Sequence, residues 1–344
     1  MLKLHRTKRF AGAAALGFGL LMSVAMPGMA NDALQKIRVT IPVLGMNFLP
    51  LFAAVDKGHF AKEGIEAEII ITSGDGPDVD ALIAGSVDFT VSTANRLLMS
   101  YEQGKPLLAI MNLANRNAVD CVMRKDVAER LGITEDTPLE DKLKALEGLR
   151  VAGTRPGAFT YLVLVDYAQR TGLVPQEDLQ ILGAGGGPSM IPAIENGLID
   201  VACNTSPATD TMVERGSSIM FTHNSVGMDE EYNDFLFELL YVRPEFAKEN
   251  PELVRSVVRG LLAAIADLHD TPVEEQLPFL RERFSGVEDQ MLVDILTNLK
   301  DIFPRDGRVT EISLEKVTNF LVGTGAVQSG APYEVIASTE YLPQ

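Results

Sequence analysis

Tryptophan is absent from the 344 residues, histidine occurs four times and cysteine twice. His5, His59, His223 and His269 form no H-E-x-x-H or other metal-ligand spacing, so no metal is expected. No G-x-S-x-G elbow and no G-x-x-x-x-G-K-[ST] phosphate loop is present. Gly183-Ala184-Gly185 begins like a dinucleotide fingerprint, but Pro188 stands where the third glycine belongs. No nucleophile, base and orienting group assemble along the chain, and no cofactor is expected. After residue 30 there is no long apolar run, so no stable membrane insertion is expected, and no low-complexity tract or flexible linker interrupts the chain. Basic residues are also scarce. The chain holds 30 against 47 acidic ones, and four of the 30 lie in the first thirty residues. The remainder has 26 against 47, a net charge of −21. That excess disfavours nucleic acid and anionic membrane surfaces as partners. It leaves the sign of a small ligand open, because charges beyond about 8 Å are screened at physiological salt.

The first thirty residues read as an export leader. Lys3, Arg6, Lys8 and Arg9 precede a short apolar run, Ala11 to Val24, and Gly28-Met29-Ala30 offers small residues for cleavage after Ala30. The run is short and Pro27 follows it, unlike a membrane anchor. An exported, periplasmic, monomeric protein of about 314 residues is expected, long enough for two domains.

What is present centres on residues 153–160, GTRPGAFT, between the apolar run Leu149–Ala152 and a helical stretch ending at Gly172. A strand, a glycine loop and a helix follow one another here. Glycines let a ligand approach the main chain, and the first N–H groups of a helix favour an anion. Thr154 and Thr160 add hydroxyls and Arg155 a planar five-donor cation. The same unit occurs earlier. A gapless shift of 112 residues places Ile37 on Leu149, Gly45 on Gly157, Gly74 on Gly186 and Thr93 on Thr205. It superposes residues 81–88 on 193–200 with the shared pattern A-[LI]-x-x-G-x-[VI]-D. Two equivalent α/β halves present equivalent loops, and open α/β sheets bind ligands at the carboxyl ends of strands. The expected site is a cleft in which Gly45, Met46, Asn47 and Phe48 face Gly157, Ala158, Phe159 and Thr160. Arg155 joins it from the same glycine loop, Thr93 and Asn95 with a hydroxyl and an amide, and Asn204 and Thr205 by their position in the repeat, equivalent to Ser92 and Thr93. Gly74, Asp75 and Gly187 join it from the second glycine loop of each half, and Arg116 from the crossover.

In chain order, alternating strands and helices fill residues 31–115, with strands at 37–41, 65–71, 89–92 and 107–113. Residues 114–118 cross into a second domain, 116–224. Residues 223–225 cross back, and 225–344 complete the first domain with a strand at 235–242 and mostly helices, of which Pro251–Thr271 is the clearest. A chain that leaves a domain and returns makes a two-strand hinge suited to closure.

Residues 37–43 (IRVTIPV), Phe48 to Ile65 with its Gly58-His59-Phe60 turn, Ala81-Leu82-x-x-Gly85-x-Val87-Asp88 and residues 148–153 (GLRVAG) resemble the solute-binding proteins of ABC importers. The likeness, over roughly residues 36–270, is to the nitrate/sulfonate/taurine branch that includes the NMT1/THI5-like proteins. It implies a periplasmic-binding fold of the second topological type, with two α/β domains, each a mixed sheet flanked by helices, joined by a two-strand hinge. It also implies a small-molecule solute and ABC permease subunits as partners, and no enzymatic step. Members that bind taurine or thiamine precursors often use tryptophan in the cleft, and this chain has none. The expected solute is a small organic carboxylate or sulfonate, its anion on the loop at 157–160 with Arg155, and its apolar body under Phe48 and Phe159. The alternatives are a pyrimidine-like neutral or cationic solute with Asp75 as partner and, in another class, a secreted hydrolase or lyase. In the implied fold Cys121 and Cys203 lie on antiparallel neighbouring strands. Buried free thiols are the favoured expectation over a disulfide, since a cross-strand bridge needs particular Cβ geometry.

Overall fold

A computed structural model describes residues 34–72 and 74–343; the expected leader, Met1–Ala30, lies outside the described residues. The first strands are β1 (Gln35–Ile41), β2 (Ile65–Ile71), β3 (Phe89–Thr93) and β4 (Leu108–Ala114). After a crossover come β5 (Asp120–Arg124), β6 (Arg150–Gly153), β7 (Gln180–Gly183), β8 (Val201–Asn204) and β9 (Ser218–Thr222). The chain then returns as β10 (Glu238–Val242). Among the described residues these strands form two five-stranded sheets, ordered β2-β1-β3-β10-β4 and β7-β6-β8-β5-β9. Both are mixed, because the strand that follows each crossover inserts antiparallel between two others. Helices cover the sheets, so β3, β8 and β10 are buried along their whole length; β8 and β10 are largely apolar, while β3 alternates apolar and hydroxyl residues yet is buried on both faces.

The 112-residue repeat is present down to the ladder register. Val39 pairs with Phe89 in the first sheet and Val151 with Val201 in the second. Arg38 pairs with Glu68, and Arg150 with Gln180. The shared motif has a mechanical cause. Gly85 and Gly197 end their helices at φ 73° and 68°, where a Cβ would be strained. Three residues later Asp88 accepts the Arg38 N–H at 2.8 Å, and Asp200 accepts the Arg150 N–H at 3.0 Å. Each aspartate thus ties the start of its strand to the neighbouring one.

Some boundaries differ from the sequence reading. The charged stretch 135–147 is helical only over Leu139–Lys144, beginning after Pro138. The run from Phe235 pairs as a strand only from Glu238, because the N–H groups of Phe235 and Phe237 go to the carbonyls of Asn115 and Ala114 in the first crossover. The segment from Val273 splits into a 3-10 turn and the helix Leu277–Arg283, with Pro278 in its first turn, where a missing N–H does no harm. The long helix Pro251–Asp270 buries Leu253, Val257, Leu261 and Ile265 on one face, as its spacing requires.

Two features hold the second sheet and the crossovers. Cys121 and Cys203 stand opposite each other on β5 and β8, with Cα atoms 4.1 Å apart, and form a disulfide. The expectation of free thiols is corrected. Direct opposition on adjacent antiparallel strands brings the two Cβ atoms within bridging range. In the first sheet Val91, the repeat counterpart of Cys203, stands opposite Leu240 on β10 in the same way, and both are buried. Asp120, fully buried at the start of β5, accepts the Ser225 N–H at 2.9 Å and the Ser225 hydroxyl at 2.7 Å. Asn224 donates to the Val119 carbonyl at 2.8 Å. The two crossovers are stapled side by side.

Candidate functional site

The loops that leave the carboxyl ends of β1, β3, β6 and β8 meet between the two sheets. Their hydrogen bonds run crosswise between the halves. The Met46 N–H donates to the Ser206 carbonyl at 2.9 Å. The Asn95 amide donates to the Gly157 carbonyl at 3.3 Å. Under the 112-residue shift Met46–Ser206 becomes Ala158–Ala94, beside that second bond. The loop after the first strand of each half therefore meets the loop after the third strand of the other half, twice, as an approximate two-fold relation demands. The hydrogen bonds between the halves follow this crossed arrangement, while Asn47 and Phe48 share the wall of one small cavity with Phe159 and Thr160.

A residual cavity of about 30 Å³ remains where the loops converge. Of the residues expected at the site, Asn47, Phe48, Asp75, Thr93, Phe159, Thr160, Asn204 and Thr205 line it. Met46 is buried and braces its loop. Gly157 contributes its carbonyl rather than its N–H, since that oxygen also accepts from Arg96 at 3.4 Å. The Ala158 N–H is taken by the Arg155 carbonyl at 3.1 Å, so it is not offered to a ligand. Phe159 lines the cavity and also packs against Phe235, Phe237 and Phe320, with ring centroids 5.2–5.9 Å away. Phe159 is thus both a cavity-lining residue and a member of a buried aromatic cluster. Gly74 carries φ 135°, and a Cβ there would strike the Arg155 guanidinium. Arg155 reaches the Asp75 carbonyl at 3.5 Å. Gly187 packs on Ala208 and borders a second, open cleft of about 750 Å³, which shares Val43, Asn204 and Thr205 with the small cavity. Arg116 is not brought to either. It donates to the Ser225 carbonyl at 3.2 Å and belongs to the crossovers.

The helix Phe159–Arg170 starts at the cavity, and its first N–H is occupied. The Asp75 carboxylate, from the loop after β2, accepts the Phe159 N–H at 3.2 Å. Thr154 and Thr160 bond to each other, hydroxyl to hydroxyl at 2.9 Å. Thr93 donates to Asn95 at 2.6 Å, which orients the Asn95 amide toward Gly157.

Sequence reasoning missed Glu238 and Arg96. Glu238, the first residue of β10, is buried in the cavity wall and accepts from the Asn47 amide at 2.9 Å. Its Oε2 and the Asn47 Oδ1 have no partner. A lone acid opening an otherwise apolar strand was the signal available. Arg96 donates to the carbonyls of Asp75 and Gly157, spanning the two halves. Three carboxyls, Asp75, Asp78 and Glu238, share this region and all are held above the usual carboxylate range. Burial is the main cause for each, and their mutual repulsion adds for Asp78 and Glu238. For Asp75 the Arg96 cation, the Phe159 N–H and Arg155 oppose the burial effect. Among the described residues no group of three or more His, Cys, Asp or Glu side chains is placed to hold a metal.

The NMT1/THI5-like family model matches residues 45–275. A 4-amino-5-hydroxymethyl-2-methylpyrimidine phosphate synthase of Schizosaccharomyces pombe is 26% identical over 246 residues, covering 68% of this chain and 66% of that one. YtlA of Bacillus subtilis, which carries the name of a binding protein, is 17% identical over 96% of this chain and 95% of its own. Among solved structures, the alkanesulfonate-binding protein SsuA of Xanthomonas axonopodis superposes with a TM-score of 0.68 at 14% identity, covering 88% of this chain and 98% of that one. Residues 45–275 include β2 to β10, both crossovers and all residues lining the cavity but Pro42 and Val43, and the chain accordingly belongs to the NMT1/THI5-like family, with the fold of periplasmic binding proteins.

Proposed function

We propose that this protein is the periplasmic solute-capturing component of an ABC importer. Residues 31–115 with 225–344 form one lobe and 116–224 the other; the lobes close on a small organic anion and present it to membrane permease subunits. The observation that carries the anion is the Asp75 carboxylate on the Phe159 N–H, beside Arg155 and Arg96. A helix-start N–H with two arginine cations nearby, which together oppose the effect of burial on Asp75, suits the carboxylate or sulfonate of a solute. The alkanesulfonate-binding neighbour supports the same class. In the closed complex the solute's anion takes the Phe159 N–H and the Arg155 fork. Thr160, Thr93, Asn204 and Thr205 supply further polar contacts, and the rings of Phe48 and Phe159 cover its apolar part. The two stapled crossovers serve as the hinge, and the exported protein acts as a monomer after cleavage near Ala30.

No covalent step is part of this reading. A serine, a histidine and an aspartate do come together at the crossovers, but the Ser225 hydroxyl donates directly to Asp120 while His223 stands 3.8 Å from that carboxylate. His223 therefore does not activate the serine.

A second reading, a pyrimidine-like solute that donates hydrogen bonds, is favoured by one observation. The unpartnered Glu238 Oε2 and Asn47 Oδ1 lie in the cavity wall and suit an N–H donor. The synthase relative supports it as well. Mass spectrometry of small molecules released by denaturing the purified exported protein decides between them. A carboxylate or sulfonate supports the first reading and a pyrimidine the second, while turnover of the released compound with a new product refutes both in favour of an enzyme.

A further inference from the structure

We propose that Glu238 faces the solute as a neutral carboxylic acid whose Oε2–H donates to the solute's anion, so that the anion and a proton occupy the site together. The inference rests on the anion reading given under Proposed function, but its observations are separate from Asp75 and the Phe159 N–H. Glu238 opens β10, lines the cavity and is 1% exposed. Its Oε1 accepts the Asn47 amide at 2.9 Å, and its Oε2 is buried with no hydrogen-bond partner among the described residues. The sheet itself does not call for an acid there. Glu238 stands opposite Thr93 on β3. The register that pairs Asp120 with Asn204, continued by one residue, puts Val119 opposite Thr205, the repeat counterpart of Thr93. Val119 lines the same cavity. One half thus presents an acid where the other presents an apolar side chain.

The charge state follows from the surroundings. A carboxylate taken out of water with no cation to replace its hydration binds a proton instead. Among the described residues, the titratable groups that act on Glu238 are Asp75, Asp78 and, on its own strand, Tyr241, none of them a cation. Arg96 and Arg155 act on Asp75. Burial first and the repulsion of Asp75 second hold the Glu238 carboxyl well above its usual range, against the bond from Asn47. That bond also fixes which oxygen carries the proton. Oε1, accepting from an amide, is the carbonyl oxygen, and Oε2 is the hydroxyl. A hydroxyl with nothing to donate to is matched by a carboxylate or sulfonate oxygen, with which it makes a charge-assisted bond. The same group, ionised, repels the anion. A bound anion therefore raises the Glu238 carboxyl further, so affinity is greatest while the free protein already holds the proton and falls as pH rises past that point, the proton then coming from the buffer.

Calorimetric titration with butanesulfonate from about pH 5 to about pH 9 tests this, because a sulfonate stays ionised throughout and any pH dependence belongs to the protein. Wild-type affinity should fall by up to about tenfold per pH unit in the upper part of the range. Glu238→Gln, whose neutral amide donates in place of the acid, should lose that dependence. The infrared spectrum of wild type at neutral pH should contain the carbonyl band of a protonated carboxyl that is missing from Glu238→Gln; circular dichroism checks that the variant is folded. Binding of butanesulfonate with no pH dependence, or with one that survives in Glu238→Gln, overturns the proposal and leaves the anion reading standing. Absence of the infrared band overturns it as well. Affinity that rises with pH and is lost in Glu238→Gln marks Glu238 as a carboxylate accepting from a donor, which overturns it in favour of the second reading. No binding to either protein at any pH counts against the anion reading, and the infrared band then decides alone whether Glu238 is a neutral acid.

Discussion

Opening the Cys121–Cys203 bridge has an effect whose size follows from its place in the chain. The bridge closes a loop between residues 82 positions apart. Cross-linking removes about 15 cal/mol/K of entropy from an unfolded chain with a loop of that size, or about 4.5 kcal/mol at 25 °C. The native sheet gives little back on reduction, because both sulfurs are buried on strands held by ladder bonds on each side. At roughly 2 °C per kcal/mol for a chain of this size, Tm should fall by about 9 °C. The comparison needs oxidised wild type, reduced wild type and the double variant Cys121→Ala/Cys203→Ala, each unfolded in denaturant and by calorimetry. Reduction isolates the cross-link, and the alanine pair adds the lost packing of two sulfurs. Thiol titration of the unreduced protein in denaturant should find no free thiol. Two free thiols would refute the bridge itself. A bridge that is present but whose reduction changes stability by less than about 1 kcal/mol would refute the chain-entropy reasoning.

Arg155→Ala should weaken solute binding about ten- to a hundredfold, the size of a lost charge-assisted bond, and Arg155→Lys should recover only part; calorimetric titration reads both, and unchanged affinity would place the anion elsewhere. Burial raises Asp120 from the usual 3.8 to about 6 against the pull of His223 and Ser225, so the folded state holds a proton that the unfolded chain releases. Stability from this group is therefore greatest below pH 4 and declines up to pH 6, and Asp120→Asn should flatten the slope across that window. Burial would raise Asp267 too, but the bonds from Lys57, Thr271 and His59 outweigh it and hold it at about 2. Its contribution is present above about pH 4 and lost as pH falls toward 2, which an acid titration of Asp267→Asn should no longer show. Burial lifts the Glu238 carboxyl well above its usual range, so its ionisation opposes folding at neutral pH. Glu238→Gln should raise Tm at pH 8 and much less at pH 4; a gain independent of pH would show that the charge is not the cause.

The strands, the repeat and the order of the two halves were legible because their signals are local. Apolar runs such as 107–113 and 235–242 mark strands buried on both faces. The motif ending in Asp88 and Asp200 recurs because one short tie, from a helix end to the neighbouring strand, is built twice. Helix starts were less legible where proline, as at Pro138 and Pro278, overrides a charged or apolar pattern.

The site was half legible for the same reason. A glycine loop ahead of a helix announces N–H groups that need a partner, and residues 153–160 supplied that by themselves. Which partner arrives is a long-range matter. Asp75 reaches Phe159 from 84 residues away, and Asn47 reaches Glu238 from 191. Arg116 and Arg155 look alike in sequence, yet one donates to the Ser225 carbonyl at the crossovers and the other to the Asp75 carbonyl of the other half, because only the packed halves set where each side chain points. Cys121 and Cys203 pair because β5 inserts beside β8, an event decided by the crossover and not by the spacing of the cysteines. Short-range periodicity and backbone preference act within a few residues, so the chain alone determined its strands, its helices and its two-fold plan. Burial and contact between segments distant in sequence act only once those elements are stacked, so tertiary structure alone decided the crossed loops, the carboxylate on the helix and the bridge in the sheet.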